Sequence, residues 1–439
     1  MRLANLRDDF YRAVESPLLV GSLVDRTFRQ IGERSGIAFA VRLADGSVWR
    51  SGEGTPEFTL IFRKRRAYWR MAAFGHVGLL EAYFAGEVDV EGSLARALAA
   101  GMAAGADQPK PLVTLANRLH EFLHANTNWL RAKKNAEFHY ALGPEFYRFW
   151  LDDPLMLYTC AYWEEGTRTL EEAQRKKLEH VGKKVLLQPG DDVLDIGSGF
   201  GGFLLFAEEH FGVKVTGYNT THSQVEHARR EIERQRLRKT TAVEGDFRSM
   251  DRQYDKVVSI GCLEHAGRDG LVDLIQAHAR SLKPGGLGLI HFIGHVGYFD
   301  TDYFIRKYVF PGGWIPSLAD VTIEMEKAGL EILDVENLRR HYAVTLDVWA
   351  ERFDRNWDKI RALDPKFDER FRRIWRVYLY GCAEMFRSAR GRTHLFQIVF
   401  SKGNVSKSSY PMSRSFLYEP EQPPARAALQ EKRSPSRAA

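Results

Sequence analysis

The chain has little cysteine. Its 439 residues include three, Cys160, Cys262 and Cys382, far apart and with no CxxC pair. That spacing argues against a disulfide framework and a zinc site, and it fits a reducing compartment. No apolar run is long enough to span a bilayer. The start, MRLANLRDDFYRAVESPLLVGSL, carries acids and lacks the apolar core of a secretory signal, so none is expected. Internal repeats are missing too. Charge of one sign is not in large excess: 63 Lys and Arg against 57 Asp and Glu leave +6. A mildly basic balance suits anionic lipid headgroups or nucleic acid, but a surface kept soluble explains it as simply.

Hydrophobic residues make up 44% of a chain long enough for two domains and a well-buried core. The first hundred residues read as a small α+β module. GIAFAVRLADGSVWRSG (36–52) alternates apolar and polar residues around Asp45-Gly46, a hairpin signal. EFTLIFRKRRAYWRMAAFG (57–75) starts as a strand and turns basic. GLLEAYFAGEVDVEGSL (78–94) reads as a short helix, a break at Gly86 and a strand. Residues 101–115 have a linker's Gly/Pro-containing composition, and 116–137 a polar helical one. From 169 the pattern changes. TLEE (169–172) is a capping box opening a helix. Apolar runs follow at 193–196, 213–218, 256–261 and 287–294, separated by helical stretches. Such alternation predicts a doubly wound, mainly parallel sheet. The tail after 403 is rich in Pro, Ser, Arg and Lys and reads as disordered.

VLDIGSGFGG (193–202) runs an apolar strand into glycines that let the backbone turn and approach a ligand. The register Gly197, Gly199, Gly202 also fits a dinucleotide fingerprint. The second strand, however, ends in Asn219, where a ribose-gripping acid would stand in that case. Asp246 in VEGDFRSM lies after a third strand, where an acid can hold an adenine amino group. SIGCLEHAG follows the fourth strand, at the carboxyl edge where open α/β sheets bind ligands, and LKPGG (282–286) turns into the next. Together these resemble a class I S-adenosylmethionine-dependent methyltransferase.

The flanks narrow the resemblance. HYALGPEFYRFWLDDPLMLYTCAYW (139–163), LRRHYAVTLDVW (338–349) and YLYGCAEMFRSARGRTHLFQIVFSKG (378–403) resemble the cyclopropane-fatty-acyl-phospholipid synthases, including the mycolic-acid cyclopropane synthases. The resemblance covers about 139–403, and the N-terminal module is similar to the extra domain of the longer bacterial synthases. The fold it implies is α/β: a class I methyltransferase (Rossmann-like) doubly wound sheet with a smaller N-terminal α+β lipid-binding-like domain. The expected division is a module at 1–105, a linker and connecting helix at 106–137, a methyltransferase domain at 138–403 and a basic tail at 404–439.

The implied reaction is methyl transfer from S-adenosylmethionine to a cis double bond of a phospholipid acyl chain. Loss of a proton from the new methyl of the resulting carbocation closes a ring. The family uses a bound bicarbonate as base. Its ligands map onto Cys160, Glu264, His291, Ile293 and Tyr342. The cofactor residues map onto Tyr158, Thr159, Asp195, Gly197, Gly199, Asn219, Gln224, Asp246 and Phe247. Each also has a plain structural reading. Cys160 alone is an inert buried thiol, Glu264 with His265 a surface pair, His291 a core histidine and Tyr342 a packing residue. Together, in this context, they are read as functional.

The sequence departs from the family at Ala141 and Pro144, where an acid and an amide are usual, and at Ser198 and Phe200 in the glycine loop. The first pair bears on the lid over the pocket and on substrate choice. The aromatics of 297–316 read as lining for an acyl channel, or as packing. The expected partners are phospholipid acyl chains at the membrane surface and a second copy of the chain in a homodimer, with no nucleic acid. The expected location is cytoplasmic, peripheral to the inner face of the membrane. FRKRRAYWR (62–70) and the tail are candidate lipid contacts, or solvated basic segments. Three other functions remain open: acyl methylation without ring closure, a non-catalytic lipid carrier, and a nucleic-acid methyltransferase, whose usual motifs are missing.

Overall fold

The hairpin forms where Asp45-Gly46 predicts it. Strands β1 (Phe39–Arg42) and β2 (Val48–Ser51) pair antiparallel. Gly46 takes φ +89°, and the Asp45 carboxylate accepts the Ser47 N–H at 2.9 Å. These details come from a computed structural model, which describes residues 17–418. The first sixteen residues, whose acids argued against a signal, and the tail from 419 lie outside them.

By internal contacts the chain divides into two units, Met1–Arg118 with Asp364–Gly391, and Leu119–Leu363 with Arg392–Ala439. In the first, β3 (Phe58–Phe62) pairs parallel with β1, and β4 (Val88–Gly92) pairs antiparallel with β3. Phe28, Phe39, Phe58, Phe62 and Met71 fill its core.

Two segments of this unit bear on the expectations above. The basic stretch 62–70 is the end of β3 and the opening of the helix Arg66–Phe84. Tyr68 is buried, and its hydroxyl accepts the Ala44 N–H at 2.7 Å. Arg63 pairs with Asp89 at 2.5 Å and Arg66 with the buried Glu87 at 2.6 Å. Part of the stretch's charge is thus neutralised inside its own unit. The helix Glu369–Arg387, inside the expected 138–403 span, groups by internal contacts with this unit. Arg373 pairs with Asp89 at 2.5 Å, donates to the Tyr83 carbonyl at 2.9 Å and lies over the Tyr83 ring. The polar helical stretch read at 116–137 is two helices, Pro111–His124 and Trp129–Tyr140, the first starting inside the expected linker.

The larger unit holds a seven-stranded sheet. Its strands are β5 (Asp192–Ile196), β6 (Lys214–Asn219), β7 (Thr240–Glu244), β8 (Tyr254–Ile260), β9 (Leu282–His295), β10 (Leu330–Asn337) and β11 (Thr393–Lys402). The order is β10-β11-β9-β8-β5-β6-β7. The pairs from β7 through β9 are parallel, and β11 runs antiparallel to both neighbours. The expected Rossmann-like sheet is present. Two buried clusters cover it. One contains Leu194, Val257, Ile290 and Phe396, the other Val193, Val215, Val258 and Leu289. Alternation along each strand sends neighbouring residues to opposite clusters.

Thr169 caps the helix Leu170–Lys184 by accepting the Glu172 N–H at 3.1 Å, a contact worth about 1 kcal/mol. Glu172 returns its bond to Arg168, one residue before the cap. The tail is ordered further than its composition suggests. Leu417 is buried, Arg414 pairs with Asp334 at 3.3 Å, and Glu331 accepts the Val405 N–H at 2.8 Å. Among the described residues no helix is long and apolar enough to cross a membrane, and no cluster of His, Cys, Asp or Glu could hold a metal ion.

Candidate active site

The glycine loop leaves β5 through Gly197 at φ +85° and Gly199 at φ +53°. The N–H groups of Gly197 and Ser198 both donate to the Tyr218 carbonyl on β6. A Cβ on Gly197 would lie 2.7 Å from that of Cys262, so this position admits only glycine. A Cβ on Gly199 would meet nothing within 4 Å, so open space faces the loop there. The Asn219 amide crosses from the end of β6, donating to Gln224 Oε1 at 2.9 Å and to the Gly199 carbonyl at 3.2 Å. Three cofactor candidates thus form one hydrogen-bonded edge. Asp246 caps its own turn and binds Arg248 through both oxygens at 3.0 Å, with Arg248 over the Phe247 ring. Asp195 is buried on β5. Desolvation pushes its carboxyl up to about 7, against the charge of Lys177.

The bicarbonate candidates lie on the turn after β8, on β9 and on two flanking segments. Glu264 sits on the one-turn helix Leu263–Ala266 after β8. Its Oε1 accepts the Ile293 N–H at 2.6 Å, while its Oε2 is buried without a partner. Burial pushes this carboxyl up to about 7. His291, two residues before Ile293, presents its side chain to the same face of β9. Its Nδ1 lies 3.1 Å from the Gln397 amide nitrogen, and its Nε2 is buried without a partner. Burial holds His291 well below the ordinary histidine range, so the ring is neutral. Gln397 Nε2 donates to Nδ1, which leaves the ring proton on Nε2.

Cys160 is fully buried. Its Sγ donates to the Ala161 carbonyl at 3.2 Å and lies 4.0 Å from the Leu338 carbonyl. That same carbonyl accepts the Tyr342 N–H at 3.2 Å, and the Tyr342 ring stands edge-on to Trp349. Burial raises the Cys160 thiol far above its usual value, so it is no thiolate nucleophile. Thr159 packs on Gly261, where an added Cβ would come within 2.8 Å of the threonine methyl. The Gly261 N–H in turn donates to the His291 carbonyl. These contacts bring the segment 158–160, the 261–264 turn and β9 into one neighbourhood. The structure alters one expectation. The Ile293 N–H is occupied by Glu264, so Ile293 positions that carboxylate and has no free donor of its own for an ion.

Several residues of this site escaped the sequence reading. Lys177 is fully buried and donates to Thr159 Oγ1 at 2.9 Å. Burial lowers its pKa, while Asp152, Cys160 and Asp195 oppose the shift. The signal was there. Lys177 shares an i, i+3, i+4, i+7 stripe with Leu170, Ala173, Gln174 and Leu178, a lysine on a helix's core face. Tyr140 bonds His265 Nε2 at 2.9 Å, and His139 bonds the Tyr158 hydroxyl at 3.1 Å. Phe310 lies against His139, Tyr140 and His265. Of the 297–316 aromatics, Phe310 therefore joins the site, Trp314 is buried under Arg268, and Tyr298 is exposed. At the departures, Ala141 ends the helix Trp129–Tyr140, Pro144 opens the helix Pro144–Arg148, and Phe200 is buried against Tyr147.

Residues 128–398 match the family model described as mycolic acid cyclopropane synthetase. A probable fatty acid methyltransferase of Pseudomonas putida is 36% identical over 291 residues, covering 64% of this chain and 72% of that protein. The cyclopropane-fatty-acyl-phospholipid synthase of Escherichia coli K12 is 34% identical over 287 residues, covering 65% and 71%. The solved mycolic acid cyclopropane synthase CmaA1, complexed with SAH and CTAB, superposes with a TM-score of 0.57 at 31% identity, over 62% of this chain and 98% of that one. With the family model matching well over half of its length, the chain belongs to the mycolic acid cyclopropane synthetase family, whose members are S-adenosylmethionine-dependent methyltransferases.

Proposed function

We propose that this enzyme adds the methyl carbon of S-adenosylmethionine to a cis double bond of a phospholipid acyl chain and closes a cyclopropane ring. The observation that carries the reading is the pair of buried, unpartnered atoms, Glu264 Oε2 on the turn after β8 and His291 Nε2 on the strand paired with β8. A buried polar atom without a partner calls for an ion, a water or a ligand.

Asn219, Gln224, Asp195, Gly197, Gly199, Asp246, Phe247, Tyr158 and Thr159 are the residues that would hold S-adenosylmethionine, which supplies an electrophilic methyl. An alkene that accepts it becomes a carbocation. The rings of Tyr140, Tyr158, Phe310 and Trp349 offer π faces to positive charge. Their packing also keeps water from a cation that water would quench. Ring closure then needs a proton removed from the new methyl. A bicarbonate held by Glu264, His291, Cys160 and Tyr342 would supply that base. The unpartnered atoms fit an oxyanion. The neutral His291 donates from Nε2. Glu264, with its carboxyl near 7, is partly protonated at neutral pH and can donate from Oε2. Ile293 fixes Glu264 through Oε1. In this reading the protein works at the inner face of the membrane without crossing it, as a homodimer.

A second reading is favoured by the name of the P. putida relative: acyl methylation that ends in a branch or a methylene without ring closure. Mass spectrometry of phospholipids from cells expressing the protein separates the two. A cyclopropane product gains one CH2 and resists hydrogenation under conditions that reduce alkenes. A product that takes up hydrogen excludes the ring.

A further inference from the structure

The helix Pro111–His124 is amphipathic in an inverted sense. Its buried side holds Val113 and Asn117. Glu121 is held there by Arg268 at 3.1 Å and Arg306 at 3.0 Å, and the His120 ring is stacked on His124. Its large apolar residues face out. Leu112, Leu115, Leu119, Phe122 and Leu123 are all exposed, Phe122 by 77%. At 3.6 residues per turn these five fall within an arc of about 100°. Other large apolar residues are exposed on neighbouring segments. Leu130 is exposed on the following helix, which Asn135 ties to the His124 carbonyl at 2.8 Å. Val296 and Tyr298 are exposed on the loop after β9, whose Asp300 shares Arg268 with Glu121. Patches of this kind on a soluble surface mark an interaction site.

We infer that this stripe is the surface by which the protein docks on a phospholipid bilayer, with Leu119, Phe122 and Leu123 entering the acyl boundary. The choice of occupant rests on the acyl-chain reading above and on charge. Lys110, Arg118, Arg131 and Lys134 are exposed on or beside the helix. The acids of the stretch 110–138 are Glu121 and Glu137, and the first is already paired. An apolar stripe rimmed by cations matches a lipid interface with anionic headgroups. The geometry also links this surface to the reaction. The helix after it, Trp129–Tyr140, ends at His139 and Tyr140, which bond Tyr158 and His265 in the candidate site. This places docking in the segment before the methyltransferase sheet, away from the basic stretch 62–70.

The test uses the full chain and unilamellar vesicles of phosphatidylglycerol and phosphatidylethanolamine. Flotation of wild type is compared with Leu119→Ser/Phe122→Ser/Leu123→Ser. The expected result is partitioning weaker by about a hundredfold, since three side chains lose their apolar transfer. Thermal melting and S-adenosylmethionine affinity stay unchanged. Turnover on detergent-dispersed phospholipid is retained while turnover on vesicles falls. The control Phe122→Leu, which stays apolar, keeps its binding. Wild-type partitioning by the triple serine variant overturns the inference, as does a wild type that does not float. A dimer in light scattering that the triple variant dissolves, with flotation unmoved, assigns the stripe to a second copy and overturns it too. Flotation that depends on the stripe, in a protein that makes no modified lipid, upholds docking while the proposed reaction falls.

Discussion

The two halves of the candidate site are built on opposite plans. At the glycine loop the polar groups satisfy one another: Asn219 binds Gln224 and the Gly199 carbonyl, and Asp246 binds Arg248. At Glu264 and His291 they do not. Glu264 and His291 each have one atom fixed and one left over. A saturated edge is rigid and shaped before its ligand arrives. A half-saturated pocket carries a desolvation penalty that a ligand relieves. The contrast teaches where each part is vulnerable: the loop to a change of shape, the pocket to a change of charge.

The largest expected effect attacks the loop. Gly197→Val forces a side chain onto Cys262 and a β-branched residue into positive φ. S-adenosylmethionine affinity should fall at least a hundredfold by calorimetric titration, in protein that still shows a cooperative melt. Affinity within threefold of wild type would remove the loop from the cofactor site.

The pocket should respond in turnover instead. Glu264→Gln keeps the bond geometry available to Ile293 but removes the titrating carboxyl. Turnover should drop by about 10²–10³, the scale of a lost acid–base or charge-stabilising group. S-adenosylmethionine affinity should hold, because the loss falls on the transition state. Added bicarbonate should speed wild type stripped of it and leave the variant unmoved. A variant as fast as wild type would separate Glu264 from the chemistry.

The same carboxyl predicts a pH dependence of stability. Its folded value is raised from 4.5 to about 7 by burial. The folded state therefore binds the proton more tightly than the unfolded chain does. That contribution is fully present below pH 4.5 and is lost as pH rises through 7. The loss amounts to roughly 3 kcal/mol at 1.36 kcal/mol per unit. Glu264→Gln abolishes it, so the variant should gain in melting temperature relative to wild type from pH 5 to pH 8. Asp195, raised in the same direction, keeps some slope in both proteins. A constant difference across that range would mean that Glu264 is not held in a desolvating site.

Much of the larger unit was legible because its strands are buried on both faces and read as apolar runs. The glycine loop was legible because positive φ demands glycine. What the sequence concealed was long-range pairing. Arg373 meets Asp89 across 284 positions, so nothing local places the helix Glu369–Arg387 with the first unit. The Pro/Ser-rich tail gave no sign that Leu417 would be buried. Composition left 62–70 as a lipid contact or a solvated basic segment, and in the fold Arg63 and Arg66 pair with Asp89 and Glu87. The start of the helix Pro111–His124 looked like linker because Gly and Pro precede it, and the rest was read as polar helix with no sign of an outward apolar stripe. The candidate residues came from motif resemblance. Of their supports, Lys177 left a trace in its helix's core-face stripe, while Gln397 came only from the fold.

Gln397 supports the smallest prediction and the sharpest about the pocket. It sits directly opposite His291 in the β11–β9 register, and its amide donates to Nδ1. That bond fixes the tautomer with hydrogen on Nε2, the atom without a partner. Gln397→Leu removes the bond and lets the two tautomers compete, which should lower turnover about threefold to tenfold. Gln397→Glu does more. A carboxylate accepts where the amide donated, so the proton moves to Nδ1 and Nε2 becomes an acceptor facing the pocket. If the pocket holds an oxyanion, the acceptor repels it, and the glutamate variant should be slower than the leucine variant although its side chain is closer in shape to glutamine. Nitrogen NMR shifts of the His291 ring report the tautomer independently of activity. A glutamate variant faster than the leucine one, with its proton moved to Nδ1, would mean that the group facing His291 is a donor, and the anion would have to be held elsewhere.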